Sequence, residues 1–596
     1  MTDRVRLRFT DSRRLTGPNV YFSVCGVVLE AFEEAHDDAR RAAWQSLVSQ
    51  TAQALHWPAP VFHMKRHPKG ATLAFTAPLD LLYTAVELND WAWLSVLGQD
   101  VLFAPGHPSV TDGSSAFQTL QCLARAERQP DLMAFIDKAA ENNWPVLTDD
   151  DLISIGYGEH VQVWPRHEVP DLSILDAPAP PHMPIALVTG SNGKTTSVRL
   201  LSAMVRANGL ACGHSCTDGL FFNGELVEAD DYSGPGGARA TLRHPQVQAA
   251  VLETARGGLL RRGLGCSDAD VALVTNISED HFGEYGVFTL DDLAQVKLSV
   301  SKGLRPGGYL VLNAADPMLV KHGSAYAGHA AWFAADWHNP HLQQAHEKGL
   351  PVCGVSDGRL RLDSTGHTHD LGAIDDMPLS FRSMARYNIE NMAGAALTAL
   401  LMGTPVAAIA QTLARFGSGH ADNPGRLQSW RFEDVQVLMD YAHNPQGMQG
   451  FLAIARDFTG SGRLAVLLGQ AGNREDADIR KLADSVAAFH PDLVVLKDMA
   501  GYERGREIGE VPAILRDQLL ACGLRAADVQ ICLDEVQAVR LILAWAQAGD
   551  VLALPVHGLN ERNAVQNLLD IMQVQGWRSG QDLPELPPSA ESGAEL

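Results

Sequence analysis

The sequence predicts an α/β fold in three parts: a central domain built around one strand–glycine turn–helix joint, a doubly wound C-terminal domain, and a small α+β domain ahead of both. Three observations predict it. A short apolar run, Pro184 to Thr189, feeds a tight glycine turn and then a helix-like pattern through Val198, Leu200, Leu201, Met204 and Val205. Further apolar runs of strand length, Ala249 to Leu252 and Val271 to Thr275, end on the polar residues Glu253 and Asn276. Beyond Val435, strand-like runs at 464–468, 493–496 and 551–554 alternate with helical stretches, the pattern of a doubly wound sheet.

At 596 residues the chain is too long for one core, and a succession of domains is expected. Residues 1–115 mix short apolar runs with a helical stretch from Glu30 to Leu55. Gly17 to Tyr21 reads as a turn entering a strand, Thr72 to Thr76 as a strand, and Leu81 to Leu88 as a helix. Nothing there has catalytic spacing, so an accessory domain is expected. Residues 116–182 open with helical stretches, Leu120 to Ala126 and Leu132 to Ala140, and end in the stiff proline run Ala177 to Pro181. The central domain is expected over 183–420, the C-terminal domain over 421–579, and a polar, disordered tail over 580–596.

The central joint, Thr189-Gly190-Ser191-Asn192-Gly193-Lys194-Thr195-Thr196, has the order that a phosphate cradle needs. Glycines let backbone N–H groups close on phosphate oxygens, and the new helix turns its positive end toward them. Gly190, Asn192, Gly193 and Thr196 would shape the cradle, Lys194 would reach the β and γ phosphates, and the Thr195 hydroxyl would hold Mg²⁺. Val188 stands where the strict motif has glycine.

Glu253 closes a strand, where a carboxylate points into the crevice that α/β folds use for ligands and suits Mg²⁺. The stretch behind it, Thr254 to Gly263, carries Arg256, Arg261 and Arg262 among three glycines. Glycine permits close approach and guanidinium grips oxyanions, so anion binding is favoured over a solvated basic loop. Asn276, Asp280 and His281 follow the next strand, where a second metal position would lie. A helix is expected from Leu290 to Leu304, with Lys297 on its apolar stripe; a lysine there is costly unless paired or chemically changed. Asp422 to Leu427 reads as a hinge, and Val435 to Met439 as a strand running into Asp440-Tyr441-Ala442-His443-Asn444-Pro445.

Acidic residues outnumber basic ones, 70 to 47, for a formal charge of −23. That field repels polyanions and argues against nucleic acid as a partner. No apolar run reaches the roughly eighteen residues of a membrane span, and the N-terminus lacks an apolar signal core, so a cytoplasmic location is expected. The eight cysteines are scattered and read as reduced thiols; Cys212-Gly213-His214-Ser215-Cys216 is expected to be a buried turn rather than a metal site. Oligomeric state is left open, a homo-oligomer included.

Taken together, Thr189 to Thr196, Glu253, Asn276 with Asp280-His281, Lys297, Pro424-Gly425-Arg426 and Asp440 to Pro445 resemble the Mur ligase set, whose phosphate loop is shorter than the strict motif, as Val188 requires. Within it, Thr217-Asp218-Gly219, Gly234-Pro235 and Glu253 to Gly265 most resemble the Mur-like half of cyanophycin synthetases. Gly17-Pro18-Asn19 resembles the start of their N-terminal domain, and Trp144 to Gly158 the early part of an ATP-grasp module whose remainder is missing. The resemblance implies a Mur-ligase-like fold and an ATP- and Mg²⁺-dependent ligation of a carboxylate, such as that of an aspartate-containing peptide, to an amine such as arginine, through an acyl phosphate. It implies one ligation rather than polymer synthesis.

By the same resemblance, Lys194, Glu253, His281 and Lys297 would be catalytic, with Thr195, Glu253, His281 and a carbamylated Lys297 holding metal. Asn276, Arg426 and Asp440 would contact the nucleotide. Thr217, Asp218, Arg256, Arg261, Arg262, His443 and Arg474 would serve the substrates. Asn473 departs from the family's Gly-Asp-Arg pattern and puts the amine's identity in question. Two alternatives are a non-catalytic nucleotide-binding partner of a full-length synthetase and a P-loop motor; the complete phosphate and metal set speaks against the first, and the hinge and Asp440 to Pro445 against the second.

Overall fold

The computed structural model describes residues 9–279, 282–364, 366–433, 435–460 and 462–585. They divide into two compact units. One comprises the described residues within Met1–Ile277, His281–Gly372 and Glu390–Leu413; the other, those within Ser278–Asp280, Ala373–Ile389 and Ala414–Leu596.

The first unit begins with a four-stranded antiparallel sheet of β1 (Phe9–Leu15), β2 (Gly26–Ala31), β3 (Phe62–His67) and β4 (Gly70–Thr76), in the order β1-β2-β4-β3. The central strands β2 and β4 are buried almost throughout, whereas β3 alternates as an edge strand with one wet face does. The helices Asp38–Ala54 and Leu82–Val96 cover the sheet, with Trp44, Phe75 and Trp93 in the core. The expected helix from Glu30 begins eight residues later. Glu30 lies in β2, and the Asp37 carboxylate caps the helix by accepting the Ala39 N–H.

Two helices, Gly113–Glu127 and Pro130–Glu141, lead to a small antiparallel sheet of β5 (Val146–Thr148), β6 (Leu152–Ile155) and β7 (Gln162–Pro165). After the proline run comes the principal sheet: β8 (Ile185–Thr189), β9 (Cys212–Cys216), β10 (Gly219–Phe222), β11 (Glu225–Glu228), β12 (Ala249–Glu253), β13 (Ala269–Val274), β14 (Leu304–Asn313), β15 (His329–Phe333), β16 (Val352–Ser356), β17 (Arg359–Ser364) and β18 (His367–Ala373). Its order is β11-β10-β9-β12-β8-β13-β14-β15-β16-β17-β18. The strands from β9 to β16 in that order run parallel, and antiparallel pairs finish the edges. β8, β12 and β13 are buried at every residue, as a parallel sheet covered on both faces demands.

Strand order places the site. From β8 the chain builds one side of the sheet through β9 and β12, then crosses to build the other through β13 and β14. β8 is therefore the switch point, and the crevice opens at the carboxyl ends of β8, β12 and β13.

Two expectations in this unit are corrected. Cys212 to Cys216 is not a turn but the fully buried strand β9, paired with β12 and β10. The helix from Leu290 ends at Leu298; a 3-10 turn follows, and Leu304 already belongs to β14.

The second unit holds a six-stranded sheet of β19 (Gln428–Phe432), β20 (Val435–Asp440), β21 (Leu464–Leu468), β22 (Leu493–Leu496), β23 (Val529–Ile531) and β24 (Val551–Pro555), in the order β19-β20-β24-β21-β22-β23. All pairs are parallel except β19 with β20. Helices on both faces complete two apolar layers, one around Phe451 and Leu482, the other around Trp430 and Leu568. Among the described residues, no helix is long and apolar enough to cross a membrane.

Candidate functional site

The end of β8 turns at once into the loop. Gly190 has φ of 150°, and a Cβ there would lie 1.8 Å from Thr275 Oγ1. Only glycine lets β8 and the end of β13 approach so closely. Gly193 has φ of 82° and caps the helix Lys194–Ala207; a Cβ there would meet Asn391 Oδ1 at 2.2 Å. The loop is pinned across its width. Asn276 accepts the Asn192 N–H at its Oδ1 (2.9 Å) and the Ser191 N–H at its carbonyl (2.9 Å), while its Nδ2 donates to Asn192 O (3.1 Å). The Thr275 hydroxyl donates to Asn192 O at 2.6 Å. The structure thus sets Asn276 against the backbone of the loop, where it holds the loop's shape.

The charged groups sit around this frame. Lys194 Nζ donates to the carbonyls of Gly190 and Ser191, both at 3.1 Å. Lys297 is 1% exposed, and its Nζ donates to the same Gly190 carbonyl at 2.7 Å. Two lysines from different helices therefore converge on one oxygen. β12 brings Glu253 beside Val188 of β8, 1% exposed, where its two oxygens accept the hydroxyls of Thr195 (2.8 Å) and Thr217 (2.9 Å). A buried carboxylate is tolerable when its lone pairs are filled in this way. Thr196 lies buried in the first turn of the helix.

Other expected residues stand apart from this centre. Asp218 is buried in an ion pair with Arg199 (2.7 Å). Arg256 is buried and aimed at Glu284, through its carboxylate (3.3 Å) and its carbonyl (3.1 Å). Arg261 and Arg262 are exposed and donate to carbonyls of their own helix, those of Gly257 and Arg261. Asp280 and His281 lie outside the described residues. Cys212, His214 and Cys216 are buried within β9, and His214 donates to or accepts from the Ser202 hydroxyl at 3.1 Å. Among the described residues, no group of three or more His, Cys, Asp or Glu side chains is placed to hold an ion.

In the second unit the ends of β20 and β24 build a separate polar cluster. Asp440 closes β20 and accepts the Leu427 N–H at 2.7 Å. Burial raises its pKa to about 6, against the opposing pull of Arg426. The guanidinium groups of Arg426 and Arg562 lie 4.2 and 5.1 Å from the centre of the Tyr441 ring. His443 Nδ1 lies 3.1 Å from Tyr441 O, and Asn444 caps the helix Pro445–Thr459 by accepting the Gly447 N–H at 2.8 Å. Beneath this loop, Lys497 is fully buried in contact with Glu535 and 2.9 Å from His557 Nδ1, while His557 Nε2 reaches Ala442 O at 3.0 Å. Burial, with Lys497 beside it, holds His557 well below its ordinary pKa. Arg474 is buried, and its carbonyl accepts from Arg506 at 2.8 Å.

Thr275, Asn391, Arg562 and the Lys497–Glu535–His557 set escaped the reading of the sequence. Each lies far along the chain from the residue it supports, and no local spacing marks it.

Residues 188–399 match the Mur ligase middle domain, and residues 425–554 the Mur ligase, glutamate ligase domain. The chain is 32% identical over 375 residues to the cyanophycin synthetase of Geminocystis herdmanii, covering 63% of this chain and 42% of that protein. It is 33% identical over 374 residues to the cyanophycin synthetase of Trichormus variabilis, covering 63% and 41%. It is 25% identical over 390 residues to the UDP-N-acetylmuramoyl-L-alanyl-D-glutamate--2,6-diaminopimelate ligase of Listeria monocytogenes, covering 62% and 72%. The chain thus spans about two fifths of the length of the synthetases it matches. With both domain families matched in order, and a strand–glycine turn–helix joint at the switch point of its parallel sheet, this chain belongs to the Mur ligase family.

Proposed function

We propose that this chain is an ATP-dependent amide (C–N) ligase that activates a carboxylate with the γ-phosphate of ATP and joins it to an amine. The observation that carries the reading is the convergence of Lys194 and Lys297 on the Gly190 carbonyl, one strand away from Glu253 and its two hydroxyl donors. Lys194 brings a positive charge to a glycine loop rich in backbone N–H groups, and a polyphosphate is the ligand that such a loop suits. The N-terminus of the helix Lys194–Ala207 adds its dipole at the same place.

The Thr195 hydroxyl and the Glu253 carboxylate are hard oxygen donors, and they fit Mg²⁺. They would hold the ion beside the phosphates, where it would neutralise charge on the transferring phosphoryl group. Carbamylation of Lys297 belongs to the same reading, since it would exchange an ammonium for an anionic oxygen donor; so does His281 as a further ligand.

In this reaction a carboxylate oxygen attacks the γ-phosphorus, the bond to the β–γ bridging oxygen breaks, and ADP leaves. The amine nitrogen then attacks the acyl carbon, the bond to phosphate breaks, and the nitrogen gives up a proton. Such chemistry rests on positioning and charge balance. Lys194 answers the negative charge, and Asn276 and Thr275 hold the loop that carries it. In this reading Arg426 and Asp440 would serve the nucleotide, Arg256, Arg261 and Arg262 the acidic substrate, and Thr217, Asp218, His443 and Arg474 the substrates more generally. Likeness to the synthetases makes an aspartate-containing carboxylate and arginine the first pair to test, with one ligation as the product.

The test is a phosphate-release screen of carboxylate and amine pairs with mass spectrometry of the products, run beside Lys194→Ala. ADP and one condensed product are expected from the parent chain and neither from the variant. Turnover that persists in Lys194→Ala would overturn the site.

A further inference from the structure

The helix Leu290–Leu298, which carries Lys297, and the segment before it are gripped by the N-terminal sheet at several points. Lys65 of β3 pairs with the Asp292 carboxylate. That carboxylate also accepts the N–H groups of Phe288 and Thr289, both at 3.0 Å, and the Thr289 hydroxyl accepts the Asp292 N–H, closing a capping box. His67 of the same strand stacks on Phe288, with ring centres 5.0 Å apart. Gly286 has φ of 71°, and a Cβ there would come 2.5 Å from Thr72 Oγ1 of β4. Arg13 of β1 lies over the Tyr285 ring at 4.6 Å, donates to Leu260 O at 2.8 Å and pairs with Glu30 at 2.9 Å. Arg256 holds Glu284.

We propose that the N-terminal sheet positions the Lys297 helix, with Lys65 as a positioning residue that fixes the helix's first turn through Asp292. The inference rests on the ligase reading of Lys297. Lys65 and Asp292 both keep partial exposure, so the pair is not needed to fill a core. Its effect is geometric. Asp292 makes the cap only in one rotamer, Lys65 holds that rotamer, and the cap sets where the helix starts and hence where Lys297, two turns on, meets the Gly190 carbonyl. The flat, glycine-permitted approach at Gly286 allows the sheet to lie that close.

The experiment is amide hydrogen exchange on the full chain, comparing Lys65→Met, Lys65→Arg and the parent. In Lys65→Met, exchange across 282–298 should quicken by about tenfold, the scale of one charge-assisted hydrogen bond. The strands β2 and β4 and the loop 190–196 should stay protected, and Lys65→Arg should behave as the parent. Unchanged exchange across 282–298 would overturn the proposal. So would loss of protection in β2 and β4 as well, since that would make Lys65 a general support of the sheet. Where ADP release is measurable, Lys65→Met should lower kcat and leave KM for ATP unchanged. If the parent chain releases no ADP with any substrate pair, the ligase reading falls, and the exchange comparison still decides the positioning role. Should Lys65→Met not fold, Lys65→Gln tests the same pair by the same readout.

Discussion

Asp440 offers a prediction whose size follows from the structure. Its carboxyl ends β20, accepts the Leu427 N–H, and is raised by burial from the ordinary aspartate value of 3.8 to about 6, with Arg426 only partly offsetting the cost. A raised carboxyl pKa means that the folded state binds its proton more tightly than the unfolded chain. The stability linked to that proton is complete below about pH 4 and is lost as pH rises through the folded value. A shift of about two pKa units corresponds to about 3 kcal/mol at pH 8, and some residual exposure of the side chain makes about 1.5–3 kcal/mol the expected range. Asp440→Asn removes the charge and keeps an oxygen for the Leu427 N–H. It should therefore stabilise the second unit by that amount at pH 8 and by little at pH 4. Hydrogen exchange of peptides from β20, β24 and the helix Pro445–Thr459 in rising urea reads this unit separately from the other. Equal stability of variant and parent at pH 8, or a gain at pH 4 that vanishes at pH 8, would refute the reasoning. A carboxylate kept at this cost suits a ligand-contact role, so the same variant should weaken protection of the chain by ATP.

Other residues give sharper single outcomes. Gly190→Ala places a methyl group against Thr275 at a backbone angle that only glycine takes readily, so ATP should no longer raise the melting temperature of the first unit, while exchange in β20 and β24 stays as in the parent. Thr217→Val strips one of the two hydroxyls from buried Glu253; the cost should be about 1–3 kcal/mol in urea unfolding of the first unit, with Thr217→Ser restoring most of it. Lys497→Met leaves Glu535 buried without its cation and should destabilise the second unit by about 3–5 kcal/mol, whereas Lys497→Met with Glu535→Gln should recover most of the loss.

The sequence by itself determined the local pieces. The run from Ile185 to Val188 is apolar at every step, as a strand buried on both faces is, and the Gly190 to Thr196 order reads as a tight turn opening a helix. The same reasoning found the carboxylate that ends β12, the buried lysine at 297 and four strands of the doubly wound second sheet, because each leaves a period or an interruption within a dozen residues; the strands Gln428–Phe432 and Val529–Ile531 of that sheet went unread. It erred where that period was ambiguous. Cys212 to Cys216 sets Gly, His and Ser between two thiols and lacks an apolar run, yet it forms β9, since neighbours on both edges and burial decide a strand more than propensity does.

What only the tertiary structure decided is which distant groups share a place. Strand order makes β8 the switch point, and so brings Glu253, Thr275 and Asn276 to one crevice from positions 64 to 87 residues past Thr189. It directs Lys194 and Lys297 to a single carbonyl, aims Arg256 at Glu284, and turns Arg261 and Arg262 to solvent, though all three arginines lie within seven residues. The physical reason is that side-chain periodicity is a short-range property of the backbone. The meeting of remote side chains is set instead by the order in which strands pair and by the few glycines that allow their ends to close.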